Sequence, residues 1–442
     1  MAETLSSGNV STRLARIAEL ARMYPERVFR SLHHVIDVEW MREAYGRTRK
    51  DAAVGVDGQT AEEYAQDLEP RLHSLVDRFR QGTYFAPPVR RVHIPKGDGR
   101  TRPIGIPTFE DKILQRAIAM VLEAIYEQDF HPGSYGFRPK RSAHDALEAL
   151  QEAITSKGGG WVLEVDIKSF FDTIDHRALR SILDLRMSDG VLRRSIDKWL
   201  KAGVLEEGEV RSPTEGTPQG GVISPLLANI YLNEVLDRWY ERDVSPRLRG
   251  RSSLVRYADD FVLVFVNEAD ARKVMEVLPK RFGKYGLTLH PVKTRLVKFD
   301  QPRHDNGRDD GGEGPGSFDF LGFTHFWGKT RKGGMTVRRT TMRSRFTRGL
   351  KSIAQWCRLN RHLPVAKQRK VLGQKLRGHY SYYGLAGNIQ ALRRFAYEVS
   401  RTWHKWLARR SQRTAERWEA FNRLLQRYPL LPPRLRPTHN RA

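Results

Sequence analysis

The chain has 442 residues, 39% of them hydrophobic, which is enough for a globular core and suggests two to three domains. No apolar run reaches the length of a membrane span, residues 1–10 lack a signal-peptide core, and the single cysteine, Cys357, excludes an internal disulfide framework and a multi-cysteine zinc site. No membrane partner is expected, and the cytoplasm is the expected location. The formal net charge of +26 is concentrated: residues 329–442 carry 29 Lys and Arg against three acids (Glu398, Glu416 and Glu419), whereas the preceding 328 residues carry 48 of each sign. A solvated charged face mixes both signs, so the one-sided excess reads as a polyanion-binding surface. Nucleic acid is the expected partner.

In chain order, Leu14, Ile17, Ala18 and Ala21 recur at helical spacing and predict a helix over 11–23. A second helix is expected over 35–45. Residues 55–58, GVDG, read as a turn. Thr60 and Glu63 form a capping-box pattern opening a helix to about residue 81, which Pro70 kinks or splits. A strand over 89–94, a tight turn over 96–99 and a return strand over 100–106 make a basic hairpin. Helices are expected over 111–128 and 143–154, a strand over 161–167 and a helix from His176. A glycine-rich loop, 216–221, leads into a helix over 224–241. The apolar, β-branched runs 252–257 and 261–266 read as a hairpin, followed by a helix over 268–285 and a strand over 293–299. Residues 301–316 read as a mobile surface loop and 318–323 as a strand. Beyond a domain boundary near 330 the texture becomes helical, dense in Arg and interleaved with Trp and Tyr. Arg338, Arg339, Arg343, Arg345, Lys351 and Arg377 are the candidate nucleic-acid contacts there.

The central hairpin carries the chemistry. Asp259 and Asp260 are adjacent at its tip, and two like charges held close resist joint ionisation. A cation would remove that penalty, and oxygen-only ligands suit Mg²⁺. An ordinary Asp-rich turn is the alternative. Nucleotidyl transfer needs two metals about 3.5–4 Å apart, bridged by carboxylates from different elements. Asp166, ending an apolar strand, is the best third acid; Glu164 lies deeper in that strand, and Asp172 and Asp175 sit where helix N-caps are expected. Lys96 and Arg102 are the candidate triphosphate clamp, or else a solvated basic turn. Gln219 lies in a loop whose glycines allow close approach to a nucleotide, or is structural. Phe171 beside a nucleotide sugar would exclude a 2′-hydroxyl; a buried core ring is the alternative.

Tyr257-Ala258-Asp259-Asp260 resembles the metal-binding box of reverse transcriptases. Further stretches are similar, in order and spacing, to bacterial group II intron-encoded proteins: GVDG at 55–58, IPKGDGRTRPIGIPT at 94–108, YGFRP at 135–139, VDIKSFFDTIDH at 165–176, GTPQGGVISPLLANIYL at 216–232, LTLHPVKT at 287–294 and FLGF at 320–323. The resemblance is strong over 50–330 and looser over 331–425. It implies an α+β right-hand polymerase. An N-terminal helical extension would cover 1–54, fingers and palm 55–330, a helical thumb or maturase region 331–425 and a basic Pro-rich tail 426–442. It assigns Asp166, Asp259, Asp260 and the Ile167 carbonyl to two Mg²⁺ ions, with Mn²⁺ an alternative. Lys96, Arg102, Phe171 and Gln219 are assigned to the nucleotide.

The resemblance further implies an RNA-directed DNA polymerase that binds its intron RNA, assists splicing and copies RNA into DNA in retrohoming. Its partners would be an RNA template and intron RNA, a DNA primer or target, and dNTPs. The chain resembles short members lacking the His-Asn-His endonuclease region, so unaided cutting of target DNA is not expected. Two alternatives stay open: a host-domesticated relative in defence or repair, and an RNA-binding splicing factor with a vestigial polymerase site. The intact acid triad argues against the second, because drift would tend to erode it.

Overall fold

The computed structural model of the chain describes residues 8–95, 101–206, 209–211, 216, 220–302, 316–330, 333–410 and 418–436. Lys96, Gln219, the tip of the basic hairpin and most of the expected loop at 301–316 lie outside the described residues. The chain divides into two compact units, 1–153 with 161–296, and 154–160 with 297–442. The division precedes the expected boundary near 330 because the strands on either side of that position pair with each other in one sheet.

In the first unit, α1 (Val10–Met23) is capped by Asn9, whose side chain accepts from the Thr12 amide. The helix expected over 35–45 instead begins with a 3-10 turn, His33–Val35; Asp37 then accepts from the Trp40 amide and opens α2 (Val38–Arg47). The Thr60–Glu63 capping box is present and opens α3 (Ala61–Ala65). The chain breaks before α4 (Leu68–Gln81), so Pro70 falls in a first turn, where its missing N–H loses no hydrogen bond. At the centre lies α5 (Phe109–Tyr126), capped by Thr108 and buried on nearly every side. A helix apolar all round belongs in a core. Trp40 locks α2 onto it, donating from Nε1 to the Ala117 carbonyl at 2.9 Å.

Two sheets flank these helices. Strands β1 (Val89–Pro95) and β2 (Thr101–Ile106) form the basic hairpin, pairing Ile94 with Arg102. After α6 (Ala143–Thr155), β3 (Trp161–Val165) belongs to the second sheet. Helices α7 (His176–Asp184) and α8 (Gly190–Lys201) lead to β4 (Val204–Glu206) and β5 (Glu209–Arg211), which complete the first sheet in the order β2-β1-β4-β5. Asp175 caps α7 as expected, accepting from Ala178 at 2.6 Å. Asp172 does not cap; it ends a 3-10 turn, Phe170–Asp172. The helix expected over 224–241 is α-helical only as α9 (Ser224–Leu232), then widens into π turns over Asn233–Arg238 and Tyr240–Val244. The second sheet takes β6 (Ser252–Tyr257), β7 (Asp260–Phe265) and β8 (Arg295–Lys298) in the order β6-β7-β3-β8, with α10 (Glu268–Gly283) packed on β3 and β7. Phe261 to Phe265 are all buried, as a continuous apolar run in a central strand must be.

The second unit holds a three-stranded antiparallel sheet of β9 (Phe318–Phe320), β10 (Phe323–Lys329) and β11 (Met335–Thr341). Among the described residues four helices follow: α11 (Arg343–Leu359), α12 (Val365–Tyr383), α13 (Ile389–Leu407) and α14 (Trp418–Arg427). Leu372, Leu376, Leu392, Phe395, Val399 and Trp403 form their core. Trp403 is fully buried and donates from Nε1 to Gln368 at 2.9 Å. Trp403 and Trp406 therefore pack helices, as their three-residue spacing suggests. Among the described residues, no helix is long and apolar enough to cross a membrane.

Asp111, in the first turn of α5, is only 1% exposed, and it accepts from Trp199 Nε1 at 2.9 Å. Burial pushes its carboxyl pKa up to about 7, against the pull of the Trp199 bond. A raised carboxyl pKa favours the folded state most below the unfolded value of about 4, and that contribution is lost as pH rises towards 7. Asp111→Asn is expected to flatten stability against pH across this window by on the order of 1 kcal/mol per pH unit, measured by denaturant unfolding.

Candidate active site

The tip of the β6–β7 hairpin is a two-residue loop, Ala258-Asp259, closed by the Tyr257–Asp260 pair. Ala258 has φ 58°, the left-handed conformation that short hairpin loops require and that an L-residue adopts at a cost. A buried network holds it there. Arg256, fully buried, donates from Nη1 to the Ala258 carbonyl and to Asn229 Oδ1, both at 3.0 Å. Its Nε donates to Asp237 Oδ1 at 2.8 Å, and Nη2 to the other Asp237 oxygen. Asp237 is equally buried and comes from the first π turn. From the other side, the loop at 133–138 runs alongside β6, with Tyr135 N donating to the Arg256 carbonyl and Arg256 N to the Gly133 carbonyl, each at 2.8 Å. A Cβ on Gly136 would lie 2.2 Å from the Ala258 nitrogen, so only glycine allows this approach.

Asp166 reaches the same place from β3. That strand pairs antiparallel with β7, ending at Val165 opposite Phe261, so Asp166 follows directly beside the hairpin tip. It is also held from behind. His290 N donates to the Asp166 carbonyl and Lys168 N to the Thr288 carbonyl, each at 2.8 Å, around an Ile167–Leu289 bridge. Lys293 Nζ lies 3.0 Å from Asp166 Oδ2. Glu164, one pleat deeper, is buried and ion-paired with Arg295, which makes it structural.

Asp166, Ile167 and Asp259 line a cavity of about 570 Å³, together with Arg102, Phe171, Asp172 and Gly220. Arg102 extends into it from β2 and is exposed. The Phe171 ring is half-buried, packed on the core and set edgewise on Phe170 at 5.3 Å, so it serves both core and cavity wall. Asp260 starts β7, is exposed, and is not part of that wall. Burial is the main reason the Asp259 pKa is raised; the Asp166 charge adds to it, while its own backbone amide, Arg102 and Arg256 oppose. Among the described residues there is no cluster of three or more His, Cys, Asp or Glu that could hold a metal by itself. Two facing carboxylates, one of them desolvated, do suit Mg²⁺, which binds through one or two carboxylates and completes its shell with substrate phosphates.

His290 and Lys293 were given no separate role by sequence reasoning. Their only signal was the stretch 287–294, and both meet Asp166, which for Lys293 lies 127 residues away. In the second unit, Arg338, Arg343, Arg345, Lys351 and Arg377 are exposed. Arg339 is not: it is 6% exposed and pairs across the sheet with buried His325. Alternation along β11 turns Arg338 outward and Arg339 inward, which removes Arg339 from the accessible cations.

The sheet that carries Asp166 and Asp259 and the basic hairpin that carries Arg102 thus contribute to one cavity. The profile of the family described as "Reverse transcriptase (RNA-dependent DNA polymerase)" matches residues 94–325, and the chain belongs to that family. It is 41% identical over 271 residues to Protein YkfC of Escherichia coli (strain K12), covering 54% of this chain and 71% of that protein. It is 32% identical over 301 residues to the group II intron-encoded protein LtrA of Lactococcus lactis subsp. cremoris, covering 65% of this chain and 49% of that protein. Nuclear intron maturase 2, mitochondrial, of Arabidopsis thaliana is 30% identical over 183 residues, covering 33% of this chain and 25% of that protein. The chain thus spans about half the length of LtrA and less of the plant maturase.

Removing the Asp237 charge leaves a buried guanidinium without its counter-charge, a change that costs about 3–5 kcal/mol. Asp237→Asn is expected to lose stability of that order in denaturant unfolding. A loss within 0.5 kcal/mol, roughly the range of an ordinary surface substitution, would mean the pair does not brace the turn.

Proposed function

We propose that this protein copies RNA into DNA at the Asp166–Asp259 cavity, extending a primer by attack of its 3′-hydroxyl on the α-phosphate of a dNTP with release of pyrophosphate. The observation that carries this reading is the convergence of both carboxylates and Arg102 on one cavity. Asp166, Asp259 and Asp260, with the Ile167 carbonyl, would hold two Mg²⁺ ions, or Mn²⁺ in their stead. Bound metal would lower the pKa of the attacking hydroxyl and offset charge on the phosphates. Arg102 would bind triphosphate oxygens by charge-assisted hydrogen bonds, joined by Lys96. Gln219 would contact the nucleotide and Phe171 would exclude a 2′-hydroxyl. Lys293 beside Asp166 offsets negative charge on the acid side of the cavity.

The wider role we infer is that of a group II intron protein: binding its intron RNA, assisting splicing and reverse-transcribing the RNA onto a DNA primer, in the cytoplasm. Support comes from the names of relatives such as LtrA and from the basic surface of the second unit. There Arg338, Arg343, Arg345, Lys351 and Arg377 are available to phosphates.

Asp259→Ala is expected to reduce Mg²⁺-dependent primer extension to background while leaving RNA affinity nearly unchanged, as read by gel extension and filter binding. Retained extension by the purified variant would sink the assignment. Phe171→Ala is expected to raise the ratio of ribonucleotide to deoxyribonucleotide incorporation by about tenfold or more, the equivalent of roughly 1.4 kcal/mol. An unchanged ratio with normal dNTP extension would make Phe171 a core residue only.

A further inference from the structure

The wall of the active-site cavity contains an aromatic ring that neither the fold nor the proposed chemistry uses. Phe137 is 56% exposed and lines the cavity with Arg102, Phe171 and Asp259. Its backbone has φ 56°, a conformation that is a genuine outlier for a bulky residue. Five described non-glycine residues have positive φ; two of them, Phe137 and Ser169, line this cavity, and a third, Ala258, precedes Asp259. Strained backbone persists where its surroundings over-determine it, and it gathers at ligand-binding sites.

The surroundings of Phe137 are rigid on both sides. Before it, Gly136 presses on the Ala258 nitrogen, and its carbonyl accepts from Asn229 Nδ2 at 2.6 Å. After it, the buried Arg138 donates to Glu127 and to the carbonyls of His131 and Ser134. Arg138 and Asn229 are buried and Gly136 is in close contact, yet the ring between them faces solvent. Those hydrogen bonds hold the strained backbone in place, yet among the described residues the ring itself is left largely uncovered. A planar ring held in a polar cavity, next to the turn that carries Asp259, offers a nucleoside a flat apolar face.

We propose that Phe137 is a substrate-contacting residue, packing against the terminal nucleotide of the primer strand where its 3′-hydroxyl meets Asp259. The assignment to the primer rather than to the incoming dNTP follows from placement: Gly136 abuts the metal-binding turn itself, whereas Phe171 and Arg102 come from other walls of the cavity. It rests on the polymerase reading above and adds a determinant of primer-end recognition to it.

The test compares Phe137→Gly, Phe137→Leu and Phe137→Tyr in the full-length chain. Primer–template affinity is measured by fluorescence anisotropy, KM for dNTP at saturating primer–template, and thermal midpoint by calorimetry. Phe137→Gly removes the ring and relieves the positive φ. It should keep or raise the thermal midpoint while weakening primer–template binding about tenfold, the scale of a lost stacking contact. Phe137→Leu should be similarly weakened, Phe137→Tyr should bind as wild type, and KM for dNTP should stay within about twofold in all three, since each tenfold corresponds to a full contact of roughly 1.4 kcal/mol.

A lowered midpoint in Phe137→Gly would make the ring a packing element and overturn the proposal. So would unchanged primer affinity, or a rise in KM for dNTP instead. Failure of the polymerase reading is distinguishable, because then the wild-type chain itself would not extend a primer.

Discussion

A guanidinium shut away from water holds the active site together. Arg256 spends its hydrogen bonds on Asp237, Asn229 and the Ala258 carbonyl, all within the buried interior of the first unit. A buried ion pair is weak evidence for stability, because desolvation cancels much of the attraction. What this pair supplies is position. The turn it grips holds Ala258 left-handed and Asp259 partly desolvated, with the Asp166 charge nearby. Such a turn would relax or open if it were tethered only by strand pairing. The π turns matter for the same reason, because the first of them bears Asp237.

Opposite charges also stand beside both cavity acids. Asp166 faces Lys293, and Arg102 and Arg256 draw the Asp259 pKa back against burial. The first unit therefore sets its cavity acids among opposite charges. The second unit is different in kind. Residues 329–442 hold the whole net excess of +26 and belong to that unit. Among the described residues, Arg338, Arg343, Arg345, Lys351 and Arg377 stand outward on helices and one strand face, around an apolar core that Trp356, Trp403 and Trp406 help to pack. The acid-lined cavity and the basic excess thus belong to separately packed parts of the chain.

Much of this was legible in the sequence because it is local. Alternating or continuous apolar runs identify the 252–265 hairpin and the 161–165 strand, and an acid directly after such a strand is easily marked. Thr60 with Glu63, and Asp175 before His176, are capping patterns that act within one helical turn, and both are present. Ordered motifs from 55 to 323 mark the reverse transcriptase family within single stretches of chain. Where local reading erred, a neighbour intervened. Asp37 restarted the helix expected at 35, and Asp172 ended a 3-10 turn rather than capping a helix.

By itself, then, the sequence marked the strand and hairpin that bring Asp166 and Asp259 to one cavity and the location of the basic excess, because each is written in spacing or composition over a few residues. Tertiary structure alone decided which acid meets which partner. Lys293 finds Asp166 across 127 residues, Asp237 finds Arg256 through a widened helix, and Gly136 finds Ala258 through a loop that carries Phe137 into the cavity. It also turned Arg339 inward beside His325 while its neighbour Arg338 faces out. These outcomes follow from strand register and from close approach between distant segments, and neither leaves a local period in the chain.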